Sequence, residues 1–324
     1  MRAVVTNGAG EPSVMTVGEV PAPVAGPGEV LIDVVAAGVN RADVLQRRGF
    51  YPPPPGASEI IGLEVSGRIA GLGEGVDGWQ VGEECVALLA GGGYAEVVAV
   101  PVGQVAPVPA GMDLVSAAGV MEVAATVAPN LHRMGLKAGE TFLVHGGSGG
   151  IGSFAIQYGK AIGARVITTA SAGKLDHCRE LGADEAIDYR GDWVAAAKDA
   201  TDGRGVDVVL DVMGAKYLGP NVDVLARGGR IVVIGLQGGR KGELDLGVLL
   251  RKAGTLTATS LRARPAAEKA EVVRDVVEEV WPMYADGRIK LAPETRFPLG
   301  DVAAAHTHLD SGDNVGKVLL VVAE

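Results

Sequence analysis

Between Thr141 and Gly235 the sequence alternates short branched-aliphatic runs with helical stretches, and this alternation restricts the fold more than any other feature. Thr141-Phe142-Leu143-Val144 is a predicted strand, followed by a glycine cluster and a helix to Ile162. Strand Arg165 to Ala170, helix Lys174 to Leu181, a short strand Ala186-Ile187-Asp188 and a further helix come next. Strand Val206 to Val212, a helix from Tyr217 to Leu225 and strand Gly229 to Gly235 complete the run. Elements at this spacing join as right-handed βαβ units around a parallel sheet. A Thr-rich segment, Thr255 to Leu261, has strand character and suits a sheet edge.

The flanks read differently. Gly28 to Val35, Glu59 to Ala70, Cys85 to Leu89 and Tyr94 to Val100 are predicted strands, each bounded by Gly, Pro or Asp turn chemistry. A short helix is expected from Asn40, whose side chain can cap its first turn, to Gly49. Pro52 to Gly56 is a stiff extended loop, because proline fixes φ and supplies no donor. Past the alternating region the sequence predicts one long amphipathic helix, Ala266 to Ala285, a short helix, Asp301 to Leu309, and a strand, Gly316 to Val322.

Composition bounds the function. At 324 residues the chain suits two domains of ~150 residues each, and 48% apolar residues supply a large core. A formal charge of −10, from 39 acids against 29 bases, argues against nucleic acid as the main partner, since phosphate binding needs a basic face. Cys85 and Cys178 are the only cysteines, too few for a disulfide framework or a four-cysteine zinc lobe. The N-terminus lacks the apolar stretch of a secretory signal, and no apolar run approaches the ~18 residues of a membrane span. The reading is a cytoplasmic protein.

His145-Gly146-Gly147-Ser148-Gly149-Gly150-Ile151-Gly152 contains G-x-G-x-x-G at Gly147, Gly149 and Gly152. The pattern alone is weak; here it follows a predicted strand and opens a helix, the context the mechanism requires. Residues without Cβ let backbone N–H groups approach a pyrophosphate, which then meets the positive end of the helix. NAD sites place an acid ~20 residues further on, for the ribose 2′-hydroxyl. Thr168 to Lys174 holds no acid; Ser171 and Lys174 there suit a 2′-phosphate, so NADPH is favoured. The plainer alternative is that Ser171 caps the next helix and Lys174 is a solvated cation.

Joined to the N-terminal segment, the glycine loop carries a resemblance. Asn40 to Gly49 with Tyr51-Pro52-Pro53-Pro54, Gly62 to Gly67, Ala87-Leu88-Leu89 with Gly91-Gly92-Gly93, and Gly316-Lys317-Val318-Leu319 occur in matching order. The chain resembles the medium-chain dehydrogenase/reductase superfamily, within it the zeta-crystallin-type quinone oxidoreductases, and most closely the p53-inducible subgroup. The resemblance implies an α/β protein. A GroES-like β-rich catalytic domain would comprise residues 1–119 and the C-terminal return 262–324, with a Rossmann-type NADPH-binding domain of doubly wound parallel sheet over 120–261.

Carried over residue by residue, the resemblance implies that Ser148, Gly149, Gly150 and Ile151 contact the pyrophosphate. Ser171, Lys174 and Tyr189 would surround the 2′-phosphate. Ile234, Gly235, Leu236 and Gln237 would face the nicotinamide side, with Ser260 and Leu261 near its carboxamide and Asn314 reaching the cofactor from the tail. Asn40, Tyr51 and Thr126 would line the substrate pocket. Tyr51 and Tyr189 also suit plain packing roles. Small residues Val123, Ala124 and Ala125 stand where relatives carry bulky aromatics, which implies a wider pocket, and Pro129 is expected to kink that helix.

Zinc enzymes of this superfamily carry Gly-His-Glu; here the triplet is Gly62-Leu63-Glu64, and the Asn40 neighbourhood has no thiol where a second ligand would stand. Catalytic zinc needs about three protein ligands, so no metal is expected. Reducing a simple ketone develops an alkoxide that wants a Lewis acid or proton donor. A quinone instead yields a stabilised hydroquinone, for which positioning is the main requirement. The expected activity is zinc-independent NADPH:quinone reduction. The alternatives are reduction of enal or enone C=C bonds, or NADPH binding without turnover. A homodimer is expected, formed by strand pairing of Thr255 to Leu261 with its twin.

Overall fold

The computed structural model describes residues 1–323 and divides into two compact units. The first comprises Met1–Ala125, Leu261–Asp286 and the tail from Leu291; the second comprises Thr126–Ser260 and Gly287–Lys290.

In the first unit, β1 (Arg2–Thr6) and β2 (Met15–Glu19) form an antiparallel hairpin. β3 (Glu29–Val39), α1 (Arg41–Arg47), β4 (Glu64–Leu72), β5 (Glu84–Leu88), β6 (Val97–Pro101) and β7 (Val105–Pro107) follow. Two helices, α2 (Leu114–Ala117) and α3 (Met121–Arg133), close the N-terminal part; α3 continues through Pro129, and its residues from Thr126 on belong to the second unit. From the far end of the chain come α9 (Ala266–Ala285), β14 (Glu294–Pro298), α10 (Val302–Ser311) and β15 (Lys317–Val321). The strands build a seven-stranded sheet in the order β14-β15-β3-β4-β5-β7, with β6 also on β3. Alternation along β3 turns Val30, Ile32 and Val34 into a core shared with Ile69, Val98, Leu320 and Val302.

The second unit holds β8 (Thr141–His145), α4 (Gly150–Ala161), β9 (Arg165–Ala170), α5 (Leu175–Glu180), β10 (Glu185–Asp188) and α6 (Trp193–Asp199). It continues with β11 (Val206–Asp211), α7 (Leu218–Val224), β12 (Leu225–Val233), α8 (Leu246–Lys252) and β13 (Thr255–Ala258). All six strands are parallel, in the order β10-β9-β8-β11-β12-β13. Counted within the unit this is 3-2-1-4-5-6, which reverses direction between β8 and β11. Leu143, Ile167, Val209 and Ile231 form its buried centre.

The expected β-rich and parallel-sheet architectures are both present, with local corrections. Glu59 to Leu63, expected as strand, is not one: Gly62 takes φ 115°, and the backbone of Ile60, Ile61 and Gly62 binds the loop at Gly92, Tyr94 and Gly93. Tyr94 to Glu96 likewise lies outside β6, because Val4 N–H bonds the Tyr94 carbonyl and the Arg2 side chain holds Glu96. β12 starts at Leu225 rather than Gly229. β1, β2, β7, β14 and α8 were not marked by the sequence patterns.

Candidate functional site

The glycine loop leaves the carboxyl end of β8 at the point where the sheet reverses, the crevice where open α/β sheets bind ligands. Three glycines there do different jobs. A Cβ on Gly152 would lie 2.2 Å from the Gly146 carbonyl oxygen, and one on Gly147 would lie 2.2 Å from Thr168 Oγ1, so both permit close packing of loop on strand. A Cβ on Gly149 would meet nothing nearer than 3.7 Å. Gly149 is therefore not required by the protein's own packing. It is the N-cap of the 12-residue α4, and no side chain caps that helix. The open concavity and the free first-turn donors fit a pyrophosphate.

Beneath the loop His145 and Asp211 are hydrogen-bonded within the protein, while Asn221 Nδ2 is buried without a partner. His145 is buried, hydrogen-bonds Thr169 Oγ1 at 2.9 Å and Asn221 Oδ1 at 2.8 Å, and packs edge-on against Trp193 and Tyr217. Burial pushes its pKa down to about 4, so it is neutral. Asp211, at the end of β11, accepts the N–H groups of Met213 and Gly214, and burial raises its carboxyl to about 6. These groups hold the strand ends.

Ser171 follows the end of β9 and Tyr189 the end of neighbouring β10, where Tyr189 N–H bonds the Ala170 carbonyl at 3.1 Å. Ser171 makes no side-chain cap bond to the following turn, which removes the capping alternative for it. Lys174 is half-buried in that turn; Tyr189 is 41% exposed with Arg190 over its ring. Ile234 to Gln237 follow β12, with Leu236 exposed, and Ser260 follows β13. Thr126 lies on α3, where its carbonyl accepts Asn130 Nδ2 at 2.7 Å. The second unit thus gathers Ser148 to Ile151, Ser171, Lys174, Tyr189 and Ile234 to Gln237 along the carboxyl edge of one sheet.

Asn40, Tyr51, Leu261 and Asn314 belong to the first unit. Asn40 caps α1 and joins a buried cluster that the sequence patterns do not assemble. Its Nδ2 donates to Glu64 Oε1 at 2.9 Å, and its Oδ1 accepts from Lys317 Nζ at 2.9 Å. Lys317 Nζ also meets Glu64 Oε1 at 2.6 Å, both side chains being buried. Glu64 Oε2 accepts the Glu122 N–H at 2.9 Å, at the start of α3. Gly38 makes room: a Cβ there would lie 2.2 Å from Glu64 Oε1. Glu122 itself is pushed up to about 8, by burial first and then by Glu64 and Asp43.

A second network backs the first. Arg47 can only donate, so its contact to His306 Nδ1 (3.3 Å) leaves the imidazole proton on Nε2. That N–H then donates to Tyr94 Oη at 3.2 Å, and Tyr94 donates to Asp43 Oδ2 at 3.1 Å. Asp43 accepts the Asn40 N–H at 2.7 Å and is raised by burial to about 7. Tyr51 is half-buried beneath the Arg262 guanidinium, 5.2 Å from its ring centroid. Among the described residues no three His, Cys, Asp or Glu side chains gather as a metal-ligand set. The signal for the cluster was present in Gly62-Leu63-Glu64 and Gly316-Lys317-Val318, but nothing local shows that Glu64 and Lys317 pair.

A glycine loop at the reversal point of a parallel sheet, in a chain with a separate β-rich unit, defines a nucleotide-dependent oxidoreductase class. Residues 26–110 match the alcohol dehydrogenase GroES-like domain family, and residues 150–279 match the zinc-binding dehydrogenase family. The quinone oxidoreductase of Pseudomonas aeruginosa is 33% identical over 301 residues, covering 91% of this chain and 92% of that protein. A component of the phenolphthiocerol/phthiocerol polyketide synthase of Mycobacterium tuberculosis is 32% identical over 300 residues, 91% of this chain, but the chain spans only 14% of that protein's length. The structure of Escherichia coli quinone oxidoreductase complexed with NADPH superposes with a TM-score of 0.89 at 29% identity, covering 99% of this chain and 100% of that one. The CurK enoyl reductase gives 0.86 at 26% identity, covering 99% and 98%. The chain belongs to the quinone oxidoreductases of the medium-chain dehydrogenase/reductase superfamily. No helix among the described residues is long and apolar enough to cross a membrane.

Proposed function

We propose that this protein reduces quinones with NADPH and without a metal ion. The observation that carries the cofactor choice is the end of β9, where Ser171 and Lys174 stand in place of an acid, beside Tyr189 on the neighbouring strand end. A carboxylate there would repel a 2′-phosphate; a hydroxyl and an ammonium attract it. Bound NADPH would supply a hydride, and a quinone that takes the hydride and one proton becomes a hydroquinone. The chain's part is to seat the pyrophosphate on the α4 N-terminus, and Asn40 and Tyr51 of the first unit are the proposed contacts of an aromatic acceptor.

The absence of metal rests on the donor set. Leu63 cannot ligate, and the buried Glu64 carboxylate already carries the Lys317 ammonium, so the residues present do not fit a catalytic zinc. A second reading, reduction of enal or enone C=C bonds, makes the same demands and is favoured by the likeness to an enoyl reductase and a polyketide synthase segment. We also take β13, the edge strand of the parallel sheet, as the surface that pairs in a homodimer; sedimentation as a monomer at micromolar concentration would exclude it.

Steady-state oxidation of NADPH and NADH against a panel of quinones and enals tests the proposal. The expected result is preference for NADPH with quinone-dependent turnover. Faster turnover of enals selects the second reading, NADH preference removes the Ser171 and Lys174 argument, and no acceptor-dependent rate would leave a nucleotide-binding protein.

A further inference from the structure

The first unit contains a cavity of about 720 Å³ at the N-terminus of α9, in the size range of small-molecule sites. Its lining includes the apolar Pro54, Pro55 and Leu89. It also includes three cations, Arg262, Arg264 and Lys269. Lys269 is 5% exposed, yet its ammonium makes no hydrogen bond or ion pair with any described residue. Burial lowers its pKa. Gln104, 3% exposed, lines the same cavity and its side-chain amide is likewise without a protein partner. Arg262, also buried, spends its donors on neutral oxygens: the Ala90 carbonyl, the Tyr51 carbonyl and Gln46 Oε1.

The helix makes the arrangement odder. α9 is 20 residues long, its N-cap is Pro265, and no side chain caps its first turn. Its positive end therefore faces the cavity through Ala266 with free N–H groups, next to two buried cations. Cations belong at the other end of a helix dipole, and Glu122, the acid that acts on Lys269, is itself pushed toward its neutral form by burial. Glu268, the acid of the first turn, points its charge away into solvent exposure, and Glu29, the acid among the lining residues, accepts the Gly26 N–H. Every one of these unfavourable features is relieved by a bound oxyanion.

We propose that this cavity is a binding site for the carboxylate or phosphate of a small amphiphile, with Lys269, Gln104 and the α9 N-terminus on the oxyanion and the proline wall on its apolar body. The site is lined by first-unit residues alone and does not depend on the quinone reading.

Titration of the ¹⁵N-labelled protein with benzoate, phenyl phosphate and neutral benzamide, at constant ionic strength, tests it. The expected result is saturable shifts of the Gly91, Gly92 and Ala266 amides by at least one anion, at least tenfold tighter than benzamide. The tighter anion identifies the source as a carboxylate or a phosphate ester. K269M should weaken that binding at least tenfold while melting no lower than the wild type, since it removes an unpaired buried cation; K269R should retain binding. Equal affinity for benzamide, unchanged binding by folded K269M, or shifts confined to Gly149 to Ile151 would each overturn the proposal.

Discussion

At the glycine loop the second unit presents backbone: uncapped N–H groups of α4 around a glycine whose side-chain space is empty. In the first unit the polar centre is built mainly of side chains, with Asn40 and Lys317 brought from separated strand and helix ends onto the buried Glu64 carboxylate. A backbone site is encoded within eight consecutive residues and survives substitutions that keep both the turn and the open space above it. A side-chain site depends on the whole sheet β15-β3-β4 holding register, and on small residues such as Gly38 beneath it. The first kind of site fails locally, the second through the fold.

Substitutions can break this contrast in graded steps. Gly152→Ala puts a methyl 2.2 Å from the Gly146 carbonyl and 2.5 Å from Gly147 Cα, both backbone atoms. Displacing the loop by even ~1 Å should weaken NADPH binding by roughly 100-fold or more, with a lowered melting temperature. Gly149→Ala should lose NADPH affinity while melting like the wild type; a parallel loss of stability would show that its open space is needed by the fold. Fluorescence titration and calorimetry separate the two.

Glu64→Gln strands the buried Lys317 ammonium, and removal of one partner from a buried pair costs about 3–5 kcal/mol, readable by denaturant unfolding. The double variant Glu64→Gln, Lys317→Met should recover much of it. If the single variant is as stable as the wild type, the pair does not organise the first unit.

Lys174→Ala is expected to raise the KM for NADPH roughly tenfold, about 1.4 kcal/mol, and leave that for NADH unchanged. An equal change for both nucleotides would remove the 2′-phosphate role.

The smallest effect is a pH dependence. Glu122 is raised from 4.5 to about 8 in the fold, so the native state holds a proton that the unfolded state has released between those values. Its contribution to stability is present below pH 4.5 and is lost as pH rises to about 8. Glu122→Gln, which stays neutral, should gain steadily on the wild type in melting temperature between pH 5 and pH 8, and no further above. A difference independent of pH would mean that Glu122 is ionised throughout.

The regular elements were legible because strand and helix periods are local: β9 of the second unit and α9 of the first fall on the residues expected, Arg165–Ala170 and Ala266–Ala285. The irregular pieces were not. Glu59 to Leu63 has a strand's composition, but tertiary bonds to Gly92, Gly93 and Tyr94 claim its backbone. β14 gains its partner only when the chain's tail returns as β15.

Sequence alone determined the glycine loop, the helix it opens, the missing acid after β9 and the leucine at position 63, since each is a matter of residue type at short spacing. Only the tertiary structure decided that Glu64 meets Lys317, that His306 reaches Asp43 through Tyr94, and that Lys269 lies at the α9 N-terminus without a hydrogen-bonded acid. Charge pairing and desolvation act across space, and residues 253 apart become neighbours only after the sheet has closed.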